Sequence, residues 1–136
     1  MVFEESVVLS QPFDEALADV KKALAAEGFG TLTEIDVQAT LKEKVGKEMA
    51  RYVILGACNP RLASRALEVE PQIGVLLPCN VVVREIEGGV LVEALDPGLM
   101  ATLVGRQEIR PIADEARQVL GDALGRLSPP GDVATR

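Results

Sequence analysis

Histidine and tryptophan are both absent from this sequence. Without an imidazole there is no Ser–His or Cys–His catalytic pair, and no histidine to serve as general base, metal ligand or proximal haem ligand. One tyrosine and three phenylalanines in 136 residues leave little aromatic surface for stacking a base or a sugar. Positive charge is also in short supply: 14 Lys and Arg stand against 21 Asp and Glu, a formal net charge of −7. A phosphate backbone repels such a chain, so no nucleic-acid partner is expected. Long apolar runs are missing as well. The stretches around Tyr52–Cys58 and Val75–Cys79 are too short to span a bilayer, and no membrane association is expected. Met1-Val2-Phe3-Glu4-Glu5-Ser6 has neither a basic start nor an apolar run, so it does not read as a signal peptide.

Cysteine is limited to Cys58 and Cys79, 21 positions apart and outside any C-x-x-C spacing. Two thiolates without histidine do not close a tetrahedral zinc site unless carboxylates or a second chain contribute, and neither a metal nor a cofactor is expected. Reduced thiols without a secretion signal suit a cytoplasmic location. What remains is 48% hydrophobic and 26% charged, the profile of one ordinary globular domain. A high aliphatic content with few aromatics suggests more apolar surface than one small core uses, and a homodimer is expected from it.

The chain alternates between two periodicities. Val2–Leu9 reads as a strand; Pro12 then opens a helix whose Phe13, Leu17, Val20 and Leu24 form one stripe, stopping at Gly28. Thr31–Val37 is a strand and Ala39–Val45 a short helix ended by Gly46. Arg51–Cys58 reads as a strand buried on both faces or nearly so. Asn59-Pro60 starts a helix over Arg61–Val69 that Pro71 ends. A helical turn and an extended approach are both open for Gln72–Pro78. Cys79–Ile86 and Val90–Leu95 form a hairpin about Glu87-Gly88-Gly89, and Asp96-Pro97 caps a short helix, Gly98–Val104. The last helix, Ile109–Leu127, carries Ile112, Ala116, Val119, Ala123 and Leu127 as its stripe, broadened by Leu120 and Leu124. Strands that come in adjacent groups as well as between helices predict an α+β fold, two-layered, with helices on one face of a mainly antiparallel sheet. Residues 1–127 make one domain, and residues 128–136 are expected to be a mobile tail.

Three places could carry chemistry. Leu55-Gly56-Ala57-Cys58-Asn59-Pro60 sets a thiol where a strand becomes a helix, with Asn59 as its N-cap. The positive helix end beside a sulfur favours a thiolate or a bound anion, although plain core packing is the commoner meaning of a cysteine there. Leu76-Leu77-Pro78-Cys79-Asn80-Val81 repeats the Cys-Asn pair at the start of a strand. If the two strands are neighbours, Cys58, Asn59, Cys79 and Asn80 share a pocket able to hold a soft ion, meet an electrophile or form a redox disulfide. Third, Glu34 and Asp36 point the same way on a strand, with Lys42 and Lys44 on the helix that follows, an arrangement for acid–base work or for gripping a polar ligand. A solvated salt bridge is the commoner meaning of such a group.

These segments, together with Gly28-Phe29-Gly30, Lys42–Gly46, Ala63, Ala66-Leu67 and Gly74, resemble the family known as domain of unknown function 302 over about residues 1–127. The resemblance implies a small bacterial or archaeal α+β domain with helices against an antiparallel sheet; it implies no reaction. The leading expectation is a domain that binds a small molecule or ion near Cys58, Asn59, Cys79 and Asn80, with Asp36 and Lys44 as further candidates. Two alternatives stand beside it: a thiol-dependent enzyme or redox protein using Cys58, and a structural or interaction domain.

Overall fold

Five strands and five helices follow one another in a computed structural model that describes residues 3–127. They are β1 (Phe3–Leu9), α1 (Phe13–Ala26), β2 (Gly30–Asp36), α2 (Val37–Val45), β3 (Tyr52–Cys58), α3 (Pro60–Val69), β4 (Cys79–Ile86), β5 (Gly89–Leu95), α4 (Gly98–Val104) and α5 (Arg110–Gly125). Short 3₁₀ turns at Pro71–Leu76 and Gln107–Ile109 complete the path. The tail expected from residue 128 onward lies outside the described residues.

The strands form one sheet in the order β1-β5-β4-β3-β2, and every neighbouring pair is antiparallel. The fold is therefore α+β. Its register explains the core. Val53, Val83, Val92 and Val7 lie opposite one another across four strands, as do Leu55, Val81 and Ala94. Facing pairs share a side of the sheet, and this side is sealed by Phe13, Ala16, Leu17, Val20 and Leu24 of α1 and Leu120, Ala123 and Leu124 of α5. The apolar stripe of α1 is thus the one its spacing predicts. The helix itself begins at Phe13, and Pro12 stands before it in extended conformation. Gly28 just past its end has φ 86°, a left-handed setting that glycine adopts without a Cβ penalty.

Three features depart from the sequence pattern, each for a packing reason. In β3 only Val53 and Leu55 are sealed along the Tyr52–Leu55 run, because helices seal one side of the sheet; Tyr52 and Ile54 are half-buried on the other. β2 alternates poorly because a bulge between Thr31 and Thr33 sets Leu32 apart and leaves it exposed. In α5 the buried positions are Ile112, Ala113, Leu120, Ala123 and Leu124, while Ala116, Val119 and Leu127 sit at the margin. That rotation has a cause. The C-terminal half of α5 packs on the sheet, and its N-terminal half joins a second cluster made with Leu62 and Ala66 of α3, Ile73 and Ala101. This smaller cluster closes the end of the sheet where β3 stops and β4 starts. Among the described residues, no helix is long and apolar enough to cross a membrane.

Candidate functional site

At the seam between the two clusters lies a cavity of about 40 Å³. Phe29 and Ala57 bound it from the sheet side; Leu62, Ala66, Ile73 and Ile112 bound it from the smaller cluster. Cys58 and Cys79 both line it.

The strand register brings the two cysteines together. Ala57 pairs with Cys79 across β3 and β4, so Cys58 is the next residue along, and strand alternation sets it on the side of the sheet opposite Cys79. Ladder spacing puts the two Cα atoms on the order of 6 Å apart. Both thiols are free, Cys79 buried and Cys58 half-buried. Burial, with a smaller contribution from the neighbouring Cys58, pushes the Cys79 thiol up to about 11. Cys79 is accordingly a neutral thiol at physiological pH and a poor nucleophile.

The two asparagines separate. Asn59 is buried, and both ends of its amide are engaged: Oδ1 accepts from the Leu62 N–H at 3.3 Å, and Nδ2 donates to the Glu27 carbonyl at 3.4 Å. It caps α3, as its place before Pro60 predicts, and ties that cap to the end of α1. Asn80 is exposed and pairs with Gly56, on the side of the sheet opposite Cys79. One amide of the two, that of Asn59, therefore borders the cavity.

The acidic and basic candidates lie elsewhere. Asp36 pairs with Val53, whereas Cys58 pairs with Gly30 at the other end of the β2–β3 ladder. Six residues of strand span about 20 Å. Asp36 caps α2 by accepting from the Ala39 N–H at 2.9 Å, and Lys44 is exposed in the last turn of that helix. Glu34 pairs with Lys21 of α1, and Lys42 with Glu48. These are ordinary caps and solvated ion pairs, and none lines the cavity.

What the sequence pattern missed is Met100. It is buried on α4 and brings a third sulfur to the cavity wall. No local signal marks it, because Gly98–Val104 is an apolar run in which any residue could face inward. Apart from the two thiols, no ionisable side chain lines the cavity, so a proton-transfer partner is missing there. Among the described residues no group of three or more Cys, Asp or Glu is placed to hold a metal ion.

The family described as "Domain of unknown function DUF302" matches residues 5–127. The chain belongs to that DUF302 family. A crystal structure of an uncharacterized conserved DUF302 protein from Bacillus stearothermophilus is similar over 94% of this chain and 99% of its own, with 28% sequence identity and a TM-score of 0.87. No curated protein matches the sequence. The DUF302 relationship thus accounts for the α+β fold, and it assigns no reaction. In this DUF302 chain the two Cys-Asn segments meet across the β3–β4 ladder.

Proposed function

We propose that this DUF302 domain works by binding, and that its site is the sulfur-bordered cavity between Cys58 and Cys79. The observation that carries this reading is that two cysteines distant in sequence border one small apolar space without an acid, base or histidine beside them. Such a wall recognises a small apolar or soft ligand and has no means of turning it over. Free thiols suit a reducing compartment, and the reading takes the protein as cytoplasmic.

Two measurements test the site. Mild alkylation of the native protein is expected to label the half-buried Cys58 well before Cys79. Xenon, which enters small dry cavities, is expected to slow that labelling and to raise the melting temperature. Unchanged rates and unchanged melting under xenon would remove the binding reading.

The same reading takes the domain as a two-fold homodimer. The side of the sheet away from α1 and α5 carries Val8, Tyr52, Ile54, Val82 and Leu91, all half-buried. An Arg84–Glu93 pair at 2.7 Å sits among them. A two-fold axis through this face would set each charge near its opposite on the second copy, the self-complementarity an isologous interface requires. Sedimentation at micromolar concentration should return twice the chain mass, and Val82→Glu should return it to one chain. A single-chain mass for the parent would exclude the dimer.

A further inference from the structure

Six large apolar residues are exposed among the described residues, and they fall into two groups instead of scattering. Leu32, Ile35 and Val45 belong to β2 and α2, before the Tyr52 end of β3. Leu67, Val75 and Leu103 lie beyond its Cys58 end, on α3, the 3₁₀ turn after it and α4. The first group centres on a helix without a partner. α2 sets Val37, Leu41 and Val45 four residues apart in one apolar stripe, yet none of its nine residues is buried, and Val45 is 71% exposed. A helix this short is marginal by itself and takes its stability from packing an apolar face. The second group opens into a cleft of about 390 Å³, lined by Val75 and Leu76 of the turn and by Leu103 and Val104 of α4. Charge divides the two places as well. Lys42, Lys44 and Lys47 stand against Glu43 and Glu48 on α2 and the turn after it, and Lys44 and Lys47 make no ion pair among the described residues. The acids of β2 are already engaged, Glu34 with Lys21 and Asp36 as the α2 cap. At the cleft the excess is acidic. Glu70 and Glu108 share Arg106, at 3.5 and 3.6 Å, and the exposed Glu68 makes no ion pair among the described residues.

We propose that α2 of one copy of this chain seats its Val37–Leu41–Val45 stripe in the Val75–Leu103 cleft of a second copy, with Lys44 and Lys47 toward Glu68 and Glu70. This is an apolar helix face laid in an apolar groove, with opposite charges at the rim. The strand β3, seven residues and about 20 Å long, stands between the two places. A copy therefore does not fill its own cleft, and the contact runs head to tail. Such a contact repeats from copy to copy and either closes into a ring or extends. It goes beyond the two-fold dimer of the sheet face. Ile35, paired with Ile54, borders that face, whereas α2 and the cleft lie at the two ends of the sheet.

The test is sedimentation velocity from micromolar to hundreds of micromolar, on the Val82→Glu chain so that the sheet face does not contribute. A mass above one chain that grows with concentration is expected. If Val82→Glu does not fold, the parent serves, and growth is read above the mass of two chains. In that background Lys44→Glu/Lys47→Glu and Glu68→Lys should each weaken the association about tenfold, because each sets like charges against one another. Mixed in equal amounts, the two charge-reversed chains should recover it, since the reversed helix of one then meets the reversed cleft of the other. Val45→Asp and Val75→Asp should each stay single, and their mixture should stop at pairs, because each chain keeps one sound end. All five positions are exposed, so the melting temperatures should match the parent's. A single-chain mass at every concentration overturns the proposal and leaves the two places to a different partner. Charge-reversed chains that associate no better together than apart overturn it too. A parent of single-chain mass at micromolar concentration, with association of the Val82→Glu chain at hundreds of micromolar, would remove the sheet-face dimer and leave this contact standing.

Discussion

Arg117 grips Asp96 through two parallel hydrogen bonds, Nε to Oδ1 at 2.8 Å and Nη2 to Oδ2 at 2.9 Å. The same Asp96 Oδ1 accepts from the Gly98 N–H at 2.8 Å, just where β5 turns into α4. One carboxylate therefore fixes α5 to the start of the helix that carries Met100. Its side chain is largely buried, at 14% exposure, so solvent screens the pair only in part. Arg117→Ala is expected to lower stability by about 2 kcal/mol in urea unfolding. Arg117→Lys should recover little of it, because an ammonium does not reproduce the planar fork. A full recovery by lysine would reduce the contact to simple charge attraction.

Asn59 joins two helix ends. Asn59→Ala should cost about 1 kcal/mol for the lost cap on α3. Asn59→Asp keeps the acceptor for Leu62 and loses the donor to Glu27, so it should fall between alanine and the parent. Hydrogen exchange at the Leu62 amide reports on the cap directly. If exchange there is the same in Asn59→Ala, the cap geometry is refuted.

Alkaline pH should expose Cys79. Its folded pKa of about 11 stands above the 9.0 of an unperturbed thiol. The stabilisation it contributes is complete below the unfolded value. It is lost as pH rises from about 9 through about 11, because the unfolded state gives up the proton first. The total loss is on the order of 3 kcal/mol. The difference in stability between the parent and Cys79→Ala should narrow over this window. A constant difference would mean that the thiol titrates normally.

Gly56 leaves no room for a side chain. A β-carbon there would overlap Thr33 Oγ1 and come within 2.9 Å of Pro78 Cγ. Gly56→Ala should destabilise by about 1–3 kcal/mol, the range for overpacking. Thr33→Ala in the same chain should return part of that loss, because it removes the closest obstacle. If the two losses simply add, Thr33 is not what the new methyl group meets.

The parts of this fold that can be read from sequence are those set within a few residues. Cys79–Ile86 and Gly98–Val104 are found with their limits unchanged, because Gly88-Gly89 and Asp96-Pro97 mark the turn and the cap by local sterics and hydrogen bonding. Asn59 before Pro60 announces the start of α3 for the same reason. The apolar stripe of α1 is legible because that helix packs on a single surface. The stripe of α5 is misaligned because that helix serves two clusters, and one period cannot describe both.

The candidate site divides along the same line. Chemical type belonged to the sequence: two thiols, no imidazole, an amide beside each thiol. Their arrangement belonged to tertiary structure. The pairing of Ala57 with Cys79 sets the two cysteines on neighbouring strands, and the two-residue alternation of β3 and β4 puts Cys58 and Asn80 on the side opposite Cys79. Asp36 and Lys44 are left at the far end of the β2–β3 ladder, and Met100 arrives on a helix 21 residues after Cys79. A cap or a turn is decided by sterics between neighbours in the chain. Strand register, and the seam where two apolar clusters meet, are decided by burial shared among segments far apart in sequence.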